Sequence, residues 1–248
     1  MPEILKTQAI VLRSRNYSEA DQLLTLFTEK SGKLNAIVKG VKKPASKLRG
    51  GVQVFSLTNI ALYLGKNLAT VTQAEVINSF FPLREDLLRM SCAAYISELV
   101  DALVPEEERD ETLYNLLLVG LHILSLEEPW LAARVLEIRI TSALGYQLQF
   151  DNCVCCGQNI KVNTFLSVAQ GGQVCEQCLK TYHNPEVIKI SGETSVLFRK
   201  LMEIETSMLN RLRISQTAKK EIEEILDIHI TNCIGRKLKS KEFLNSLA

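Results

Sequence analysis

The sequence predicts a multidomain α+β protein: a small antiparallel β-barrel, then an α-helical domain with an inserted cysteine-rich module. Three observations predict it. The first 80 residues break into short apolar runs separated by turn signals, without a helical period. From residue 85 onward apolar residues recur at helical spacing. Between residues 151 and 182 both patterns stop, and five of the seven cysteines cluster there. The expected divisions are 1–80, 81–150, 151–182 and 183–248.

The barrel strands are expected at Ala9–Leu12, Gln22–Thr28, Leu34–Val38, Val52–Leu64 and Ala69–Val76. Ser31-Gly32 supplies one turn, and Gly65-Lys66-Asn67 another. A closed or partly open barrel removes the exposed edges that five short strands would otherwise leave. Residues 85–104 then read as a helix stopped by Pro105. The acidic run Glu106 to Glu111 favours the positive end of the next helix. Residues 112–126 are almost wholly apolar, as a buried helix requires. A helix from Pro129 to about Leu144 closes at Gly145, and 193–212 and 216–245 read as further helices.

The formal charge of +1 conceals segregation. Residues 1–80 hold eleven Lys/Arg against five Asp/Glu, residues 81–150 five against twelve, and the remainder thirteen against eleven. A basic head beside an acidic middle predicts two surfaces with different partners. The opening Met1-Pro2-Glu3-Ile4-Leu5-Lys6 lacks the pattern of a signal peptide. No stretch has the apolar length of a membrane span. A cytoplasmic protein is therefore expected, in which seven cysteines make a poor disulfide framework.

Cysteine spacing carries the sharpest chemical signal. Cys153-Val154-Cys155-Cys156-Gly157 and Cys175-Glu176-Gln177-Cys178 form two Cys-x-x-Cys knuckles. Two intervening residues let both sulfurs of a knuckle converge, and two knuckles complete a tetrahedral shell. Cys153, Cys156, Cys175 and Cys178 are the expected ligands of one structural Zn²⁺ ion. Iron fits the same shell, a redox pair is a further option, and Cys155 could replace Cys153. Cys92 and Cys233 lie in helical patterns and read as core thiols. His122 reads as a core or boundary residue, and His183 follows the second knuckle. No catalytic motif is present, so the chain is expected not to be an enzyme and to take no small-molecule substrate.

Lys39, Lys42, Lys43, Lys47 and Arg49 fall within eleven residues that contain no acid. They read as a mobile positive loop between barrel strands, suited to phosphates of DNA. Arg13, Arg15, Lys6 and Lys33 extend that surface, and Tyr17 is placed for base stacking, whereas Phe27 and Phe55 read as core.

These features come together in one resemblance. Thr7-x-Ala9-Ile10-Val11-Leu12, Tyr17-x-Glu19-x-Asp21 and Leu24-x-x-Phe27-Thr28-x-x-x-Gly32 resemble the RecO family of bacterial recombination mediators. Lys39-Gly40-Val41-Lys42-Lys43 and Leu144-Gly145-Tyr146, followed by Cys153-x-x-Cys156-Gly157, extend the match along the whole chain. The resemblance implies an N-terminal OB-fold and a helical domain with a zinc module. It implies binding of single- and double-stranded DNA and annealing of complementary strands. It further implies cooperation with RecR on strands coated by single-strand DNA-binding protein (SSB), loading of RecA, gap repair in the RecF pathway, and a place at the nucleoid. Arg134, Arg139, Lys200, Arg211 and Arg213 are candidates to meet an acidic partner tail. Two other classes share the residue-level features: a zinc-containing RNA binder and a non-catalytic scaffold. A metal enzyme is disfavoured by an all-cysteine shell.

Overall fold

The computed structural model describes residues 4–66, 68–160, 164–181 and 187–247. His183 lies outside the described residues. The chain divides into two compact units, 1–129 with 238–248, and 130–237.

The first unit opens with β1 (Ile4–Asn16), β2 (Gln22–Thr28), β3 (Gly32–Val38), β4 (Leu57–Tyr63) and β5 (Ala69–Asn78). They close in the order β1-β2-β3-β5-β4, with β4 returning to β1. Every pairing is antiparallel except β3 with β5. This is the OB-fold arrangement. Strand β1 serves two neighbours: Ile4–Ile10 pair with β4, and Ala9–Asn16 with β2. A register shift between Val11 and Arg13 accompanies that change of partner. Alternating side chains, among them Ala9, Val11, Leu24, Leu26, Ala36, Val38, Ile60 and Leu62, fill the interior.

The fourth strand starts five residues later than the apolar pattern predicts. Gly50–Val52 form a short 3₁₀ turn, and Leu57 is the first ladder residue. Val52 is apolar because it packs into the barrel, not because it pairs. Gly32, at φ +64°, turns β2 into β3, and a Cβ there would lie 2.0 Å from the Glu108 carbonyl oxygen. No residue with a side chain fits that approach.

Helices α1 (Pro82–Glu85), α2 (Leu87–Leu103) and α3 (Glu111–Leu126) complete most of this unit. Asp86 caps α2 through Arg89 N–H, and Asp110 caps α3 through Leu113 N–H. The run at Glu106 is not yet helical: Glu107 N–H donates to the Lys33 carbonyl. Lys33 itself is buried, with Nζ 2.5 Å from the Asp101 carbonyl oxygen and 3.4 Å from its carboxylate. It fastens β3 to α2 and does not extend a phosphate-binding surface.

The second unit contains most of α4 (Pro129–Ala143), then β6 (Thr164–Ser167), β7 (Gly172–Val174), α5 (Glu176–Thr181) and β8 (Ile188–Ile190). The strands form a sheet in the order β7-β6-β8. Helices α6 (Gly192–Glu203) and α7 (Gln216–Ile234) cap one another. Ser191, the N-cap of α6, donates to Glu221 of α7, and Ser215, the N-cap of α7, donates to Glu193 of α6.

Both long C-terminal helical patterns break. The first ends at Ile204, whose backbone turns extended while its side chain is buried; its carbonyl accepts from Arg139, and a 3₁₀ segment follows at Thr206–Arg211. The second breaks at Gly235, which adopts φ +77°. The chain resumes as α8 (Lys239–Asn245) within the first unit, where Ser240 N–H and Oγ–H donate to Glu98 of α2.

Candidate functional site

Two sites emerge, one in each unit. The candidate metal centre is built on a hairpin. Cys153 N–H donates to the Gln158 carbonyl and Gly157 N–H to that of Cys153, which bends the first knuckle. Gln173 N–H to Gln149 and Val154 N–H to Gln173 lash this hairpin to β7. The second knuckle is the junction of β7 with α5, so Cys178 sits one helical turn after Cys175. Stacking of Phe150 on Phe198, with centroids 4.2 Å apart, packs the segment against α6.

The sulfurs of Cys153, Cys156, Cys175 and Cys178 all lie within 4.8 Å of one another, with Cys156 and Cys175 at 3.8 Å. Bonds of 2.3 Å to a tetrahedral ion separate sulfurs by about 3.8 Å. The donor set thus fits one metal ion with a closed shell. Electrostatics agree. Burial pushes the Cys153 thiol up, but N–H groups of Cys175, Cys156 and Cys155 outweigh it and bring the thiol down to about 6. Burial and neighbouring sulfurs push Cys178 up. Cys156 is also raised, by burial and by Cys153, in spite of the Gln158 N–H. Without a cation the cluster favours a thiolate at Cys153 and resists one at Cys156 and Cys178. Cys155 turns elsewhere, its Sγ–H 3.2 Å from Gln170 Oε1.

The second site lies on the barrel. Lys39, Lys43, Lys47 and Arg49 are exposed and Lys42 is half-buried. The loop is tied down, contrary to the expectation of a mobile one. Arg49 donates to the carbonyls of Val41, Lys42 and Lys43 at 3.4, 2.6 and 3.2 Å. Lys42 Nζ reaches the Ser18 carbonyl at 3.1 Å, and Lys42 N–H that of Ala20 at 3.0 Å. Gly40 N–H donates to Asp21 Oδ1 at 2.7 Å, which holds that carboxyl below its ordinary value. The loop is thereby joined to the β1–β2 turn that carries exposed Tyr17. Arg13 and Arg15, two residues apart on β1, are both exposed, as is Lys6. Phe27 and Phe55 are buried.

Sequence reasoning missed two participants. Asp21, the loop's anchor, had a signal in Tyr17-x-Glu19-x-Asp21. Arg84 had none: it follows Pro82 on α1 and reaches across to the Val54 carbonyl at 2.5 Å and to that of Ser79. Among the acidic-tail candidates, Arg134 is excluded as a surface residue, being buried against Glu137 at 2.7 Å. Arg139 is committed to Ile204, whereas Lys200, Arg211 and Arg213 are exposed. His122 is exposed, edge-on to Phe80 at 4.8 Å. Cys92 is buried and Cys233 half-buried. No described helix is long and apolar enough to cross a membrane.

An OB-fold with a tethered basic loop, joined in one chain to a helical unit that carries a four-cysteine cluster able to hold a metal, defines a class of multidomain α+β proteins. Comparison narrows it. Residues 1–80 match the family model described as Recombination protein O N terminal, and residues 84–242 match Recombination protein O C terminal. "DNA repair protein RecO" of Moorella thermoacetica is 37% identical over 249 residues, spanning 100% of this chain and 92% of the relative. The protein of that name from Desulforamulus reducens is 34% identical over 246 residues, 99% and 95% of the two chains. That of Heliobacterium modesticaldum is 39% identical over 228 residues, 90% and 82%. The chain belongs to the RecO family of DNA repair proteins.

Proposed function

We propose that the protein is a non-enzymatic recombination mediator that binds single- and double-stranded DNA and anneals complementary strands. With RecR it helps to load RecA onto SSB-coated strands at the nucleoid. The observation that carries the reading is the tethered basic loop on a barrel of this family. Lys39, Lys43 and Lys47 project from a loop whose geometry is set by backbone bonds. Phosphates of two strands bound there lose their mutual repulsion, while base pairing supplies specificity. Annealing then needs no reacting side chain.

We also infer that the metal is a single structural Zn²⁺ ion. Four protein thiolates leave no position for a water, and Zn²⁺ is the ordinary occupant of such a shell. Its chemistry is to replace sulfur–sulfur repulsion by bonds and so hold the knuckles together.

Annealing of complementary DNA oligonucleotides by the parent chain and by a Lys39/Lys42/Lys43 triple alanine tests the first reading. Loss of annealing, with a shallower salt dependence of binding, is expected. Full activity in the triple variant would overturn the loop's role, and equal annealing of RNA would favour a general nucleic-acid binder. Elemental analysis tests the second: zinc near one equivalent is expected, and iron or no metal overturns it.

A further inference from the structure

Within the first unit, the basic loop and the helix that follows the barrel border an open pocket of about 710 Å³. That lies within the usual range for small-ligand sites, roughly 300–1,000 Å³. Lys42, Arg49 and Arg84 line it, and no carboxylate does. Exposed Met90 gives it an apolar surface, with Val52 and Phe55 buried behind the wall and Gln22 and Gln53 beside it.

The three cations are aimed without being neutralised. Arg49 is held by the carbonyls of Val41, Lys42 and Lys43, Lys42 by that of Ser18, and Arg84 by those of Val54 and Ser79. None of them forms an ion pair with a described residue. Carbonyls orient a cation but leave its full charge for an incoming anion. The apolar wall is itself held under strain. Phe55 adopts φ +71°, a region that costs a bulky side chain energy, and its N–H is kept at 2.8 Å from the Val11 carbonyl. Such strain persists where surrounding bonds over-determine it, and it clusters at binding sites.

An occupant must therefore carry negative charge and a flat or apolar face. Continuity selects between candidates. Lys42 and Arg49 belong to the same loop as Lys39 and Lys43, so a nucleic-acid backbone crossing that loop reaches the pocket mouth. We propose that the pocket receives one unpaired nucleotide, its base against Met90 on the wall backed by Val52 and Phe55 and its phosphate among Lys42, Arg49 and Arg84. The inference rests on the DNA-binding reading above and adds selectivity to it. A base stacked and paired in a duplex cannot enter, whereas one in a single strand can. Release of that nucleotide into a forming duplex would then accompany annealing.

The test compares labelled oligothymidylate with a labelled duplex, binding each to the full chain. Met90 is partly exposed, so Met90→Glu obstructs the pocket at little risk to the fold. Leu87→Glu adds the same charge on the same helix, at an exposed residue outside the lining. Arg84→Gln and Arg84→Lys test the phosphate end. Met90→Glu should weaken oligothymidylate about tenfold and duplex less than about twofold. Leu87→Glu should leave both near the parent. Arg84→Gln should lower the salt slope for the single strand by about one, and Arg84→Lys should keep it.

Oligothymidylate bound as tightly by Met90→Glu as by the parent overturns the proposal, provided urea unfolding shows both folded. Equal weakening of both DNAs overturns it too, because the effect would be charge alone. A labelled aspartate-rich peptide whose binding is lost in Met90→Glu, with single-strand binding intact, would reassign the pocket to protein segments. If triple-alanine variants of the loop lose DNA while Met90→Glu and Arg84→Gln keep it, the pocket fails and the DNA-binding reading stands. If the parent binds no DNA, both fail.

Discussion

The four-cysteine cluster and the basic loop are organised by opposite ends of the peptide dipole. At the cysteines, N–H groups point at sulfur: Cys175 N–H lies 3.4 Å from the sulfur of Cys153, and Cys178 N–H 3.5 Å from that of Cys175. At the loop, carbonyls point at cations, three of them at Arg49 alone. The first arrangement favours thiolate at Cys153 and suits a metal cation. The second gathers positive charge and calls for an anion. The difference teaches where stability resides. On the reading proposed above, the four crowded sulfurs would depend on an ion to stay folded, whereas the carbonyl-bound cations hold their shape through bonds already made.

Removing the metal is the largest way to test that contrast. Cys156→Ser or a strong chelator should release the ion and unfold the segment from Cys153 to Cys178, because zinc-finger modules draw roughly 10–16 kcal/mol from the metal. Hydrogen exchange should show lost protection there, with barrel amides unchanged. Persistent protection without metal would break the contrast.

Gly32→Ala is the converse case. It should destabilise the barrel by about 3 kcal/mol, through the positive φ and the clash with the Glu108 carbonyl, while leaving metal content intact. Urea unfolding and elemental analysis read the two effects. Arg49→Lys should lower DNA affinity about three- to tenfold despite conserved charge, since an ammonium cannot span three carbonyls as a guanidinium fork does. Affinity equal to the parent would show that the tether does not matter.

A smaller effect is expected from acid. Glu193 is lowered from 4.5 by the N–H and hydroxyl of Ser215, and Glu221 is lowered by Thr194 and Ser191 against the effect of burial. Depressed carboxylates contribute stability above their ordinary value, and it is lost as pH falls through the folded value. Stability of the second unit should therefore drop below about pH 4.5. Glu221→Gln should flatten that dependence at a cost of under about 1 kcal/mol at neutral pH, given solvent screening. The smallest effect belongs to Cys155→Ser: metal content should be unchanged, since that thiol bonds to Gln170 and lies outside the shell.

Legibility differed between the sites for a physical reason. A knuckle is local, because two sulfurs separated by two residues converge through one turn, so Cys153, Cys156, Cys175 and Cys178 could be named from spacing. The charge of the loop was equally visible, but its tethers were not. Asp21 and Gly40 are brought together by the pairing of β2 with β3, and Arg84 meets Val54 only once α1 docks on the barrel. Lys33 and Arg134 looked like surface cations because sequence reports charge and not burial. Each is held inside by one acidic residue, Asp101 or Glu137.

By itself, the sequence determined the period changes that separate strands from helices, the four cysteines that cluster, and the positions where charge accumulates. Those properties follow from residue type and short spacing. Only the tertiary structure decided the order in which the barrel closes, the return of Lys239–Asn245 to the first unit, and which cations stay free to meet an anion. Those outcomes depend on backbone carbonyls and acids distant in the chain, whose approach no local pattern encodes.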